Sequence, residues 1–222
     1  MTEPAGTDYA SVSLAPVSLV IVWLLAALAG AVDASGLSLL KDLFVSFMSG
    51  NTTSLGVALA NADWPRVLLI AGIITAFVTG AIAGTVLAHA ASRYHLPVVT
   101  LTVAGILAVP LVFPVAAVLA MTFAMGTLNA AIQQAGSVKV SLTFVTGALV
   151  KFGQGVGRLL CGQTDDWTWL QQAVPWTGLL AGAAVAALCM DRYGQPVFAA
   201  LPVAALLMAL VSWFALPRAS DP

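Results

Sequence analysis

The sequence predicts an all-α polytopic membrane protein of two homologous halves, with six full spans plus two broken or re-entrant segments. Three observations carry this expectation. Of the 222 residues, 60% are hydrophobic and only 8% charged, where a soluble domain carries about 25% charged residues. Several apolar stretches approach the roughly 20 residues that a bilayer-crossing helix needs. Two polar interruptions then sit in matching places of this greasy chain: Phe44 to Gly56, FVSFMSGNTTSLG, and Leu142 to Gly153, LTFVTGALVKFG.

In order, the chain divides into a cytoplasmic tail at 1–13, a first membrane repeat at 14–113, a second at 114–216 and a C-terminal tail at 217–222. The first tail holds Glu3 and Asp8 but no Lys or Arg. A signal peptide opens on a basic region, so the apolar run at 14–33, ending AGAVDASG, reads as a retained span. The first broken segment, 43–60, follows Lys41 and Asp42. Trp64, Pro65 and Arg66 suit a membrane interface and open a span reaching 91. A shorter span at 97–113 contains Pro110. The pattern then restarts, with spans at 114–132, 174–190 and 197–216 and a second broken segment at 141–161.

Equivalent residues recur at a nearly constant step. Gly30 matches Gly126, and Asp33 matches Asn129, at 96. Gly50 and Gly56 match Gly147 and Gly153 at 97; Gly80 and Gly84 match Gly178 and Gly182 at 98. Arg93-Tyr94 and Pro97 match Arg192-Tyr193 and Pro196 at 99. So small a drift over the whole chain reads as duplication rather than as chance matches among small residues.

Topology decides what the duplication means. If both broken segments cross, there are eight full spans and the halves are parallel copies. If both dip in and return, each half crosses three times and the second copy is inverted, an arrangement many transporters use with the site where the breaks meet. Basic residues favour the cytoplasmic side. In the dipping arrangement Arg93, Lys139, Lys151, Arg158 and Arg218 share one side against Lys41, Arg66 and Arg192, with both termini cytoplasmic. That count favours six spans and two dipping segments, with eight spans as the alternative.

The broken segments are where chemistry is expected. Glycine permits strained backbone, so Gly50 reads as a helix interruption, with Ser49 or Asn51 capping the restart. A helix start at membrane depth offers free N–H groups to an anion or a carbonyl. In the second segment Thr146-Gly147 keeps the hydroxyl–glycine step, but Ala148 stands where Asn51 would. Lys151, Gln154 and Arg158 share one helical face there, and a basic face inside a membrane looks into a cavity or toward a partner charge. Asp33 is the acid expected to pair with Lys151. The expected solute-binding residues are Asp33, Ser49, Gly50, Asn51, Thr52, Asn129, Thr146, Gly147, Lys151 and Gln154. The opposite reading has Asp33 ending its helix while Lys151 and Arg158 reach for headgroups.

Other features carry less. Gly80-x-x-x-Gly84 and Gly178-x-x-x-Gly182 let helices approach closely, either within the bundle or across a homodimer. Gly153-Gln-Gly155-Val-Gly157 follows no strand and is not a phosphate loop. His89 and His95 flank Arg93 at a turn, and Asp165-Asp166 lie in a loop. Cys161 and Cys189 fit neither a disulfide framework nor a metal site. Eight scattered basic residues and a net charge of −1 speak against nucleic acid. No cofactor is expected.

The run GAVDASGLSLLKDLFVSFMSGNTTSLGVALA resembles the hallmark of the YoaK-like family of bacterial multi-pass membrane proteins, a domain of unknown function. The matching positions are Asp33, Ser49-Gly50-Asn51 and Leu55-Gly56, then Gly126, Asn129-Ala130 and Phe144-Val145-Thr146-Gly147. Ser49 stands where that family usually has Thr, which keeps the hydroxyl. The resemblance implies the fold and a place in the bacterial inner (plasma) membrane, and brings no substrate. The expected function is a permease for a small polar or anionic solute. A non-transporting scaffold or regulatory subunit is the alternative. An intramembrane enzyme is disfavoured, because the spans hold one Asp, no His, and neither HExxH nor GxSxG.

Overall fold

In lipid a backbone must satisfy its own polar groups, so apolar runs of this length fold as helices. The structure, a computed structural model, describes residues 16–134, 145–163, 167–194 and 197–215. They form α1 (Pro16–Leu40), α2 (Met48–Ala60), α3 (Trp64–Ala91), α4 (His95–Val112), α5 (Ala117–Gln134), α6 (Val145–Leu160), α7 (Ala173–Tyr193) and α8 (Val197–Ala215), joined by short turns. The expected tails at 1–13 and 217–222 lie outside the described residues.

Four stretches are long and apolar enough to cross a bilayer: Leu19–Leu40, Trp64–Val112, Thr168–Tyr193 and Val197–Phe214, with Pro114–Ala130 as a shorter apolar helix. The second of these, 49 residues long, holds both α3 and α4. They part at Ser92, whose φ of +49° no α-helix tolerates. The spans are therefore α1, α3, α4, α5, α7 and α8. Of these, α1, α4, α5 and α8 bury a shared core of Ala26, Val32, Val99, Val103, Ala124, Met125, Leu128 and Ala205, joined by Ala88 of α3.

Two glycine seams fix how the spans pair. Gly178 lies against the Trp23 carbonyl and Gly182 against the Ala27 carbonyl, so α1 and α7 run parallel. Gly80 and Gly84 meet the Phe123 and Thr127 carbonyls in the same way, so α3 and α5 are parallel too. Gly30 and Gly126 complete the seams from the other side, against Leu179–Ala183 and Phe77–Ala81. A Cβ at any of the six would run into backbone. These small faces are spent inside the chain, which corrects the expectation that a homodimer could use them.

The two polar segments do not cross. Asp42, just beyond α1, forms an ion pair with Arg66 at the start of α3. Leu43, Ala58, Ile70 and Ile73 cluster at the same level. The chain thus leaves one face of the bundle after α1, enters as a non-helical leg, and returns to that face as α2. At the second segment, α5 ends and α7 begins on the opposite face, because α5 runs with α3 and α7 with α1. α6 lies between these two ends in the chain. The spans of the first half run down, up and down; those of the second run up, down and up.

Three expected boundaries move. α1 continues through Asp33 and Gly36 to Leu40, so AGAVDASG does not end the span; an isolated stop at that depth would strand carbonyls in lipid. The first interruption is 41–47, not Gly50-Asn51, which lie in the first turn of α2. Thr146 and Gly147 likewise lie within α6, and residues 141–144, where the second segment was expected to begin, lie outside the described residues.

Candidate functional site

The leg at 41–47 has neither helix nor sheet to satisfy its peptide groups, and two side chains do so instead. Asp33, on α1, accepts from the N–H groups of Val45 at 3.0 Å and Ser46 at 2.8 Å. Its second oxygen accepts from the Ser46 hydroxyl. Asn51, on α2 and fully buried, accepts from Phe44 N–H at 3.0 Å and donates to the Phe44 carbonyl at 2.6 Å. One acid and one amide, from helices on either side, grip three consecutive residues. Val45 and Ser46 are buried with them.

The remaining polar residues of the stretch divide by role. Thr52 and Thr53 return their hydroxyls to the carbonyls of Met48 and Ser49, one turn earlier. Ser49 is exposed, and Phe47 at the cap position has no side chain able to accept from the first N–H groups of α2. Gly50 packs beneath the Phe47 ring, where a Cβ would meet Cδ1 and Cε1 at 2.6 Å. The free end of α2, with the Ser49 hydroxyl and Phe47 beside it, is where bare backbone dipoles reach an exposed surface.

In α6, Ala148 and Gly155 are its buried residues, as Asn51 and Ala58 are in α2. Both pairs are separated by 97, the step the sequence set for these segments. Ala148 stands where Asn51 would, so that position of α6 has no amide. Lys151, Gln154 and Thr146 are exposed and Gly147 half-buried. Asn129 is buried on α5 and donates to the Met125 carbonyl at 2.9 Å.

Of the ten expected site residues, the structure joins Asp33 with Asn51 through residues 44–46, with Ser49, Gly50 and Thr52 on the adjoining turn. It does not join Asp33 to Lys151: the carboxylate is occupied by the leg, and Lys151 stands open on α6. Two participants were not anticipated. Phe44 acts through its backbone, which leaves no trace in sequence. Trp169 lies over Gly155, and only the glycine-rich spacing of α6 hints that something flat must cover it. Among the described residues no group of His, Cys, Asp or Glu is placed to hold a metal ion.

Comparison with known proteins places this arrangement. A UPF0700 transmembrane protein of Rhizobium meliloti (strain 1021) is 38% identical over 205 residues, covering 91% of this chain and 88% of that protein. No solved structure matches the chain. The alignment spans both glycine seams and both re-entrant segments, and a family described as protein of unknown function, DUF1275, matches residues 21–213. This chain is thus a multi-pass membrane protein belonging to the DUF1275 family.

Proposed function

We propose that this chain is a permease of the bacterial inner membrane, not an enzyme, and that it passes a small polar or anionic solute between duplicated, inverted halves. One observation carries the reading: the leg at 41–47 is irregular backbone entering the bundle, gripped by Asp33 and Asn51. Irregular backbone at membrane depth is sustained only where protein or a water-filled cavity covers it. The same leg delivers the unfilled start of α2, with Ser49, Gly50 and Thr52, to that depth. Transporters with inverted halves place their sites at such half-helix starts.

The basic residues near the two faces divide between them. Arg93 and Arg158 lie toward the face where α3 and α6 end; Lys41, Arg66 and Arg192 lie toward the other.

The test is flux. Full-length protein in sealed vesicles is screened with small neutral and anionic solutes, beside Ser49→Leu and Gly50→Leu. Solute-dependent uptake that the variants lose supports a permease. Absence of flux from folded protein, with a partner protein co-purifying through both variants, supports the scaffold reading instead. A second copy of the chain would have to dock away from the two glycine seams.

A further inference from the structure

α6 is the odd member of the pair. Lys151, Gln154 and Arg158 stand on one face of it, all exposed. None of the three has a hydrogen bond or ion pair among the described residues. Trp169 lies against the adjoining strip. Its ring sits over Gly155, four residues after Lys151 and three before Arg158, where any Cβ would strike the indole. Phe152 packs on it at 5.4 Å between ring centroids, and Trp167 stacks at 5.9 Å. Trp169 is only 8% exposed, and its buried indole Nε1 has no acceptor among the described residues.

This is an unusual inventory. An ammonium and a guanidinium carry only donors, an indole N–H is a donor, and the Gln154 amide adds two more. A buried donor without an acceptor is costly, and an unpaired cation on a membrane segment costs more. Arg158, in the last turn, also complements the negative end of its own helix. Lys151, two turns further in, has no such compensation and is the residue that discriminates.

We propose that the strip formed by Lys151, Gln154 and Arg158, flanked by Trp169, is an anion-binding site for a phosphate or carboxylate group. The anion is a free solute or the headgroup of an anionic lipid; the chemistry of recognition is the same. This deepens the transport reading by giving the solute its charge.

The experiment uses the full chain in phosphatidylcholine nanodiscs and reads thermal unfolding. Inorganic phosphate is titrated against sodium chloride at equal ionic strength. A second arm replaces part of the phosphatidylcholine with phosphatidylglycerol. Lys151→Gln, Lys151→Arg and Trp169→Phe are compared with the wild type. Phosphate should raise the midpoint of the wild type and of Lys151→Arg. Its half-saturating concentration should rise about ten-fold or more in Lys151→Gln, the equivalent of one charged hydrogen bond, and by less in Trp169→Phe. A response to phosphatidylglycerol alone, lost in the same variants, assigns the site to a lipid headgroup. No response in either arm, or equal responses from wild type and Lys151→Gln, overturns the site. Binding without flux would leave the site standing and remove only the transport reading.

Discussion

The side chain of Asn51 and the backbone of Phe44 bond to each other twice, N–H to Oδ1 at 3.0 Å and Nδ2 to the carbonyl at 2.6 Å. An amide side chain here does what a neighbouring strand would do. It holds a non-helical residue inside a helical bundle, seven positions before itself. At the corresponding place α6 has Ala148, which has no amide with which to repeat this pair of bonds.

Asn51→Leu keeps the volume and removes the grip. It leaves a buried N–H and a buried carbonyl unpaired, each worth about 1–3 kcal/mol. Thermal unfolding of the purified protein should show a loss in this range, and Ala148→Asn should bring no equal gain. An unchanged midpoint for Asn51→Leu would mean that the leg holds itself.

Asp33 and Ser46 should prove coupled. In a double-mutant cycle of Asp33→Ala and Ser46→Ala, groups sharing one hydrogen bond give an interaction energy of about 0.5–3 kcal/mol. The cycle of Asp33→Ala with Lys151→Met should be additive, because the two side chains do not meet. The reverse pattern in unfolding measurements would restore the ion pair that the sequence suggested.

The glycine seams make a sharper contrast. Gly182→Ala and Gly84→Ala drive a Cβ into the Ala27 and Thr127 carbonyls, and overpacking of this kind costs about 1–3 kcal/mol or more. Gly72 and Gly105 have open space where a Cβ would stand. Substituting Ala there should shift stability by no more than about 0.5 kcal/mol. Folded yield on size-exclusion chromatography separates the two classes.

The Asp42–Arg66 pair marks topology more than stability. With side chains 56% and 38% exposed, it should contribute no more than about 1 kcal/mol. Asp42→Ala should accordingly lower the unfolding midpoint only slightly, and less so in high salt. A large loss would show that the pair closes the hairpin itself.

Much of this fold was legible because lipid is an exacting solvent. The apolar runs, the interfacial Trp64 and Arg66, and the paired glycines each follow from the absence of water. Hidden were the relations that act across sequence. Asp33 looked like a helix end because Asp-Ala-Ser-Gly is a soluble stop signal, yet its carboxylate works twelve and thirteen residues ahead while α1 runs on. Gly50 looked like the break because glycine permits one, but the real break needed Asn51 to replace its lost hydrogen bonds. Pattern alone also gave no partner for either glycine pair. Each binds a span of the other half, and the seam residues Trp23 and Ala27 correspond to Phe123 and Thr127 at a step of 100, one helical turn beyond the step of 96 that aligns Gly30 with Gly126. The site was half visible, in Asp33 and Asn51. The pairing of Lys151 with Asp33, which the sequence suggested, is not what the structure shows: the carboxylate bonds Val45 and Ser46 instead.

The whole account turns on the chain entering and leaving the bundle by one face between α1 and α3. Single cysteines at Lys41 and Ala60, both exposed, in a chain whose Cys161 and Cys189 are replaced by serine, report this directly with a membrane-impermeant thiol reagent. Labelling of both positions from the same side of the membrane is the predicted result. Labelling from opposite sides would make α2 a full crossing and contradict the account.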